Sequence, residues 1–276
     1  MRPLAAALAA LLLGATPAAA QYAEGGARVL GLGRAGVALG AEAWATTNPA
    51  ARSGLDAPRL GVQASQAFGL SELQVGTLAA AAPTPVGVLG LGARTYGFDE
   101  RRETRLTVGI ARPIPLTATR ALDAGLVVGY EAEATEGFES RGAVVVSAGV
   151  QGQLLPGLRG GLAGRNLLGL FRTEEDDLRF GAATVPGLTA GIAYAPSERA
   201  TLVLDADQDL DFGLSVRAGA EVVPVDVLAL RIGVSTEPTR LSAGAGVRLG
   251  GLRADVAVER HEALGLTPAF GVEVSL

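Results

Sequence analysis

From residue 59 onward, apolar and polar positions alternate along the chain. In 213–223, Leu214, Val216, Ala218, Ala220 and Val222 share one face, and Ser215, Arg217, Gly219 and Glu221 share the other. In 225–235, Leu228, Leu230, Ile232 and Val234 oppose Ala229, Arg231 and Gly233. In 239–249, Leu241, Ala243, Ala245, Val247 and Leu249 oppose Ser242, Gly244, Gly246 and Arg248. Leu252, Ala254, Val256 and Val258 then oppose Arg253, Asp255 and Glu259, and Phe270, Val272, Val274 and Leu276 oppose Glu273 and Ser275. A period of two is the signature of a β-strand, whose side chains point alternately to its two faces. Each run is about ten residues long, the length of a tilted strand crossing a bilayer.

Such alternation also suits a soluble sandwich with one face in its core, but the polar face argues otherwise. Its charges, Arg217, Glu221, Arg231, Arg248, Arg253, Asp255, Glu259 and Glu273, sit within the runs, and the apolar face carries almost none. A charge facing lipid at mid-bilayer costs roughly 2–4 kcal/mol, so a membrane barrel enforces this split. The apolar face is mostly Leu, Val and Ala, whereas a sandwich core calls for larger aromatics to fill it. The pattern predicts an all-β protein, a transmembrane antiparallel β-barrel with these charges facing its lumen. Runs near 59–68, 72–82, 86–96, 104–113, 121–133, 141–154, 157–167, 187–196, 199–207, 213–223, 225–235, 239–249, 251–259 and 267–276 predict about fourteen strands. With the first strand running outward, Pro83-Thr84-Pro85, Pro156-Gly157, Pro196-Ser197-Glu198, Pro224 and Gly250-Gly251 fall in periplasmic turns. Longer charged loops fall outside, near 97–102, 135–140, 168–186 and 260–266, with Glu174-Glu175-Asp176-Asp177 in the longest. The piece 114–120 is long for an inner turn. In the earlier strands, Gly87, Leu89 and Leu91, or Val127 and Gly129, are candidates for an apolar recess.

The stretch 21–50 does not alternate. It holds six glycines, Arg28, Arg34, the single Trp44 and the triplet Asn48-Pro49-Ala50, and is too glycine-rich for an amphipathic helix. It reads as a plug, or hatch, inside the lumen, where glycine permits tight turns. Arg28 and Arg34 then either pair with lumen carboxylates such as Glu221, Asp255 or Glu259, or face lumen water. Trp44 either anchors the plug against the wall or lines a ligand pocket.

Before it, Arg2, the apolar run from Leu4 to Leu13 and Ala18-Ala19-Ala20 form a signal peptide pattern. The expected organisation is therefore signal peptide 1–20, hatch 21–57 and barrel 58–276, exported from the cytoplasm. The 276 residues are 49% apolar, yet no stretch after residue 20 reaches the roughly 18 apolar residues of a spanning helix. The absence of Cys excludes disulfides, thiolate metal sites and a cysteine-linked lipid anchor. A net charge of -5 argues against nucleic acid.

Gly31-Leu32-Gly33-Arg34-Ala35-Gly36 followed by Asn48-Pro49-Ala50 resembles the N-terminal hatch of the long-chain fatty-acid transporter (FadL) family, and more so that of PorV/PorQ-type outer-membrane proteins. Asn166-Leu167-Leu168-Gly169, Gly191-Ile192-Ala193-Tyr194, Gly219-Ala220-Glu221, Leu230-Arg231-Ile232-Gly233, Gly244-Ala245-Gly246 and the stretch from His261 to Phe270 follow in similar order. The resemblance implies a fourteen-stranded outer-membrane barrel of a Gram-negative-type bacterium, with the N-terminal segment inside it and Asn48, Pro49 and Ala50 in the hatch. For the PorV/PorQ type it implies type IX secretion, with the barrel binding secreted proteins or secretion components. For the FadL type it implies passive transport of a hydrophobic small molecule. The chain departs from the pattern by ending on Leu276 instead of an aromatic, and by having few aromatics for interfacial girdles.

Little in the sequence points to reaction chemistry. The glycine loop 31–36 lacks the preceding strand, following helix and Lys of a P-loop. His261, the single histidine, reads as a solvated residue of an outer loop beside Arg260 and Glu262. No Cys or second His is present to complete a metal site with it, and the acidic run at 174–177 does not have EF-hand spacing. The expectation is a non-enzymatic protein with no cofactor, whose partners are outer-membrane lipid and either secretion components or a hydrophobic small molecule.

Overall fold

A computed structural model of the chain describes residues 26–41, 43, 44, 46–117, 120–168, 185–209 and 213–276. The signal peptide expected over 1–20, the start of the hatch at 21–25 and the acidic run at 174–177 lie outside these residues. The strands are β1 (Arg59–Gln66), β2 (Gln74–Thr84), β3 (Gly87–Gly97), β4 (Arg101–Thr117), β5 (Arg120–Thr135), β6 (Arg141–Leu155) and β7 (Leu158–Arg165) in the first half. β8 (Gly187–Ser197), β9 (Ala200–Asp209), β10 (Leu214–Val225), β11 (Leu228–Ser235), β12 (Arg240–Leu249), β13 (Leu252–His261) and β14 (Gly265–Ser275) follow. Each pairs antiparallel with its sequence neighbours, and β1 pairs with β14, so fourteen strands close into one barrel. Closure satisfies every ladder edge, the condition for β-structure to span lipid.

The faces of the strands decide between barrel and sandwich. Ile232 on β11 is 66% exposed, while Arg231 beside it is 4% exposed. Leu214, Val216, Leu230, Leu241, Leu252, Val256 and Phe270 all lie on the exposed outer surface, and Glu221, Asp255, Glu259 and Glu273 are buried. A soluble protein buries the opposite set. No helix among the described residues is long and apolar enough to cross a membrane.

Several boundaries differ from the expected ones. β1 stops at Gln66 because Ala67–Gly69 and Ser71–Leu73 form 3-10 turns, with Phe68 at φ 56. β4 and β5 pair as far as Thr117 and Arg120, so most of the piece read as an inner turn is strand. Pro113 and Pro115 are tolerated there because β3 begins at Gly87, and β4 runs past it as an edge strand with no N–H needed on that side. β13 continues through His261, leaving only three residues before β14. On β3 the inward positions are Val88 and Arg94, both buried, so Leu89 and Leu91 point outward and line no recess.

Candidate functional site: the segment inside the barrel

The described residues between 26 and 55 run along the inner faces of the strands. The helix α1 (Gly26–Gly31) has six residues, too few to persist alone in water. Ala27 and Leu30 pack on Ala257 and Ala269 of the wall, which supplies the missing stability. At its end Gly33 and Arg34 take left-handed φ values of 69° and 66°. Glycine is required at the first of these by space as well, since a Cβ on Gly33 would lie 2.6 Å from the Val234 nitrogen. The turn aims the Arg34 guanidinium at Glu259, where Nε and Nη2 each donate at 2.8 Å. Both side chains are buried, and the bidentate geometry is the strong form of this pair.

The neighbouring backbone is held as well. The Gly33 N–H donates to Ser242 Oγ at 2.9 Å. The Gly36 and Val37 N–H groups both donate to Asp205 Oδ2, at 2.6 and 3.0 Å. Nearer the end of the barrel where the termini of the wall meet, Arg28 donates to Glu221 at 2.7 and 3.0 Å. Glu221 also accepts from Arg231 at 2.5 Å, Arg231 donates to Asp255 at 2.7 Å, and Arg253 is 2.7 Å from Asp255. Arg28, Glu221, Arg231, Asp255 and Arg253 therefore alternate in sign around one side of the opening. They border a cavity of about 60 Å³ that also reaches Arg248.

The second half of the segment meets the opposite wall through shape. Asn48 is fully buried; Nδ2 donates to the Val37 carbonyl at 2.7 Å and to the Val150 carbonyl at 3.1 Å, and Oδ1 accepts the Ala50 N–H at 3.0 Å. It caps a 3-10 turn, Pro49–Gly54, with proline at the first position, where no N–H is needed. Pro49 and Ala50 lie on Gly125 of β5, where a Cβ would sit 2.3 Å from the Pro49 carbonyl carbon. Asn48 lies on Gly149, and Arg52 on Gly90 and Gly109. Arg52 is buried and donates to the Ala43 and Trp44 carbonyls at 3.0 and 3.1 Å, fastening the segment to itself. Trp44 stacks over Gly61 of β1 and borders a second small cavity with Ala27, Arg28 and Arg253.

The remaining lumen charges divide. Arg217 is 2.9 Å from Asp207, and Glu273 accepts from Arg59 at 2.9 Å. Arg248 faces inward by register but is exposed at the mouth, opposite Arg253. Gly31 approaches Gly244, and Gly36 lies beside Leu39 and Val29 within the segment. His261, expected in solvent, is buried at the end of β13, with Nδ1 accepting the Ala263 and Leu264 N–H groups.

Sequence reasoning passed over two sets of residues. Asp205, Asp207 and Asp209 repeat at period two on β9, and Arg94, Glu131 and Arg105 form a buried ion cluster across β3–β5. The same alternation that singled out the later charges was available for both. The inward glycines Gly90, Gly109, Gly125 and Gly149 gave no signal, because glycine suits either face of an alternating strand. Among the described residues, no group of three or more His, Asp or Glu is placed to hold a metal ion.

No family model matches the chain, and no curated protein matches it. Solved structures do. The CymD monoaromatic hydrocarbon channel superposes with a TM-score of 0.66 at 14% identity, covering 91% of this chain and 97% of that one. The Ralstonia pickettii toluene transporter TbuX gives 0.63 at 13% identity, covering 92% and 99%. A Pseudomonas aeruginosa FadL homologue gives 0.58 at 13% identity, covering 90% and 97%. At these identities the likeness is one of fold: a closed fourteen-stranded antiparallel barrel.

Proposed function

We propose that the chain is an outer-membrane barrel for passive passage of hydrophobic small molecules, with residues 21–57 as its hatch. The observation that carries this reading is the internal segment fastened across a closed barrel, in a fold shared over nine-tenths of the chain with proteins described as a monoaromatic hydrocarbon channel and a toluene transporter. The wall supports it: by register Ala79, Val88, Gly109, Ala111, Val127 and Val145 face inward on β2–β6, a surface of small and apolar groups beside the hatch. The apolar exterior and even strand number suit an outer membrane, and the signal peptide would be cleaved before Gln21 on export. The role is non-enzymatic. Asn48, Pro49 and Ala50 would form the hatch floor, while Gly31, Gly33, Arg34, Gly36 and Trp44 fix its other half.

Proteoliposomes loaded with the purified chain test this. Toluene influx at least tenfold above empty vesicles is expected, with no gain for a sugar of similar size; equal influx with and without protein overturns the reading. Deleting 21–50 should raise leakage of small solutes, and unchanged conductance would remove the hatch.

The secretion role implied by the PorV/PorQ resemblance rests on the charged filling of the β9–β14 side of the lumen, which suits a partner-binding barrel more than a conduit. Co-purification of secretion components with the chain, without toluene influx, would favour it.

A further inference from the structure

Three adjacent strands carry, at one level, a row of buried donor atoms with no acceptor among the described residues. Ser235 on β11 is the register partner of Arg240 on β12, and Arg240 is the partner of His261 on β13. They are 2%, 4% and 7% exposed. Among the described residues, the Ser235 hydroxyl, Arg240 Nε and His261 Nε2 have no hydrogen-bond partner. The carboxylate nearest Arg240 does not supply one: Nε is 3.7 Å from Glu259 Oε1, beyond a hydrogen bond, and Glu259 already takes both bonds of Arg34. His261 Nδ1 accepts two backbone N–H groups at 3.2 Å, so the proton of the neutral ring sits on Nε2.

We propose that Ser235, Arg240 and His261 form an oxyanion subsite on the inner face of β11–β13. Buried donors left unpaired are unfavourable, most of all on a cation, and such groups call for an acceptor. An ionised carboxylate or phosphate offers only acceptors, and its charge complements Arg240. A metal ion would find no anionic ligand in this set, and a hydrocarbon would leave all three donors unpaired. Strands lie roughly 4.8 Å apart, so the row spans about 10 Å, a width that the central arginine bridges. Phe68 stands edge-on to His261, with ring centroids 5.7 Å apart, and its N–H is fixed on Thr267 Oγ at 3.0 Å. An apolar surface thus borders the donors, which suits an oxyanion carried on an organic body.

The subsite stands apart from the permeation reading, which can fail while this one holds. Equilibrium dialysis of the full chain in detergent against labelled benzoate, and separately against inorganic phosphate, tests it. Saturable one-to-one binding of either is expected, weakened about tenfold by Arg240→Met and roughly threefold by Ser235→Ala. Binding of benzoate alone assigns the oxyanion to an organic ligand, and binding of phosphate alone assigns it to the free ion. Absence of saturable binding of both overturns the proposal, as does equal binding by the altered chains. Heat-modifiable migration in detergent gels checks that each variant is folded, and Arg240→Lys, which keeps the charge and loses the fork, substitutes should Arg240→Met fail.

Discussion

The two walls of the lumen hold the same segment by different physics. On the β9–β14 side, Arg34, Arg28 and the Gly36–Val37 backbone are bound by Glu259, Glu221 and Asp205, through charge-assisted bonds of 2.6–3.0 Å. On the β3–β6 side, the turn at Pro49–Gly54 rests on glycines, and its strongest polar ties, from Arg52 and Asn48, go largely to the segment itself. The first wall adds sign and direction to close glycine contacts at Gly219 and Gly233, and the second relies mainly on the absence of side chains. Loss of a charge should therefore act on the first half alone, whereas gain of a methyl is the main way to disturb the second.

The largest effect is expected from Arg34→Met or Glu259→Gln. Each breaks a buried bidentate ion pair, at a cost of about 3–5 kcal/mol, read as lower resistance to unfolding in detergent with more frequent channel openings in planar bilayers. The charge exchange Arg34→Glu with Glu259→Arg should restore part of that loss; a double variant as weak as the sum of the singles would contradict direct pairing. Next comes Gly125→Ala, which forces a methyl against the Pro49 carbonyl carbon, at roughly 1–3 kcal/mol. It should free the Pro49–Gly54 turn for proteolysis after Arg52 while leaving the Arg34 end protected. Arg28→Met should weaken the structure by about 1 kcal/mol, because Glu221 keeps Arg231 as a partner. Arg199→Ala breaks only an exposed rim pair with Asp226, 65% and 90% exposed, and should change the unfolding midpoint hardly at all, under about 0.5 kcal/mol. A large effect there would mean that rim charges matter more than the walls.

The walls also differ in how much of them could be read from the chain. The alternation of Leu230, Arg231 and Ile232 carries its face assignment directly, since one residue of three is charged and lipid excludes it. The turns were legible where Pro and Gly coincide, as at Pro156-Gly157. They were misread at 114–120, where proline sits on an unpaired strand edge and looks like a turn. The pairing of Arg34 with Glu259, across 225 positions, follows from register and closure, which no local pattern reports. The glycine-lined wall was illegible for a simpler reason: an absent side chain has no polarity, and its meaning appears only when another backbone is found against it.

The meeting of β1 with β14 sets an order of events. The seam joins Arg59 to Ser275, and the Leu276 N–H reaches the Pro58 carbonyl at 2.9 Å, so the wall cannot shut before nearly the whole chain has been delivered. The leading segment lies inside that closed ring, so it is expected to be in place as the seam forms. The seam is thus expected to zip up late, around cargo that belongs to the same molecule.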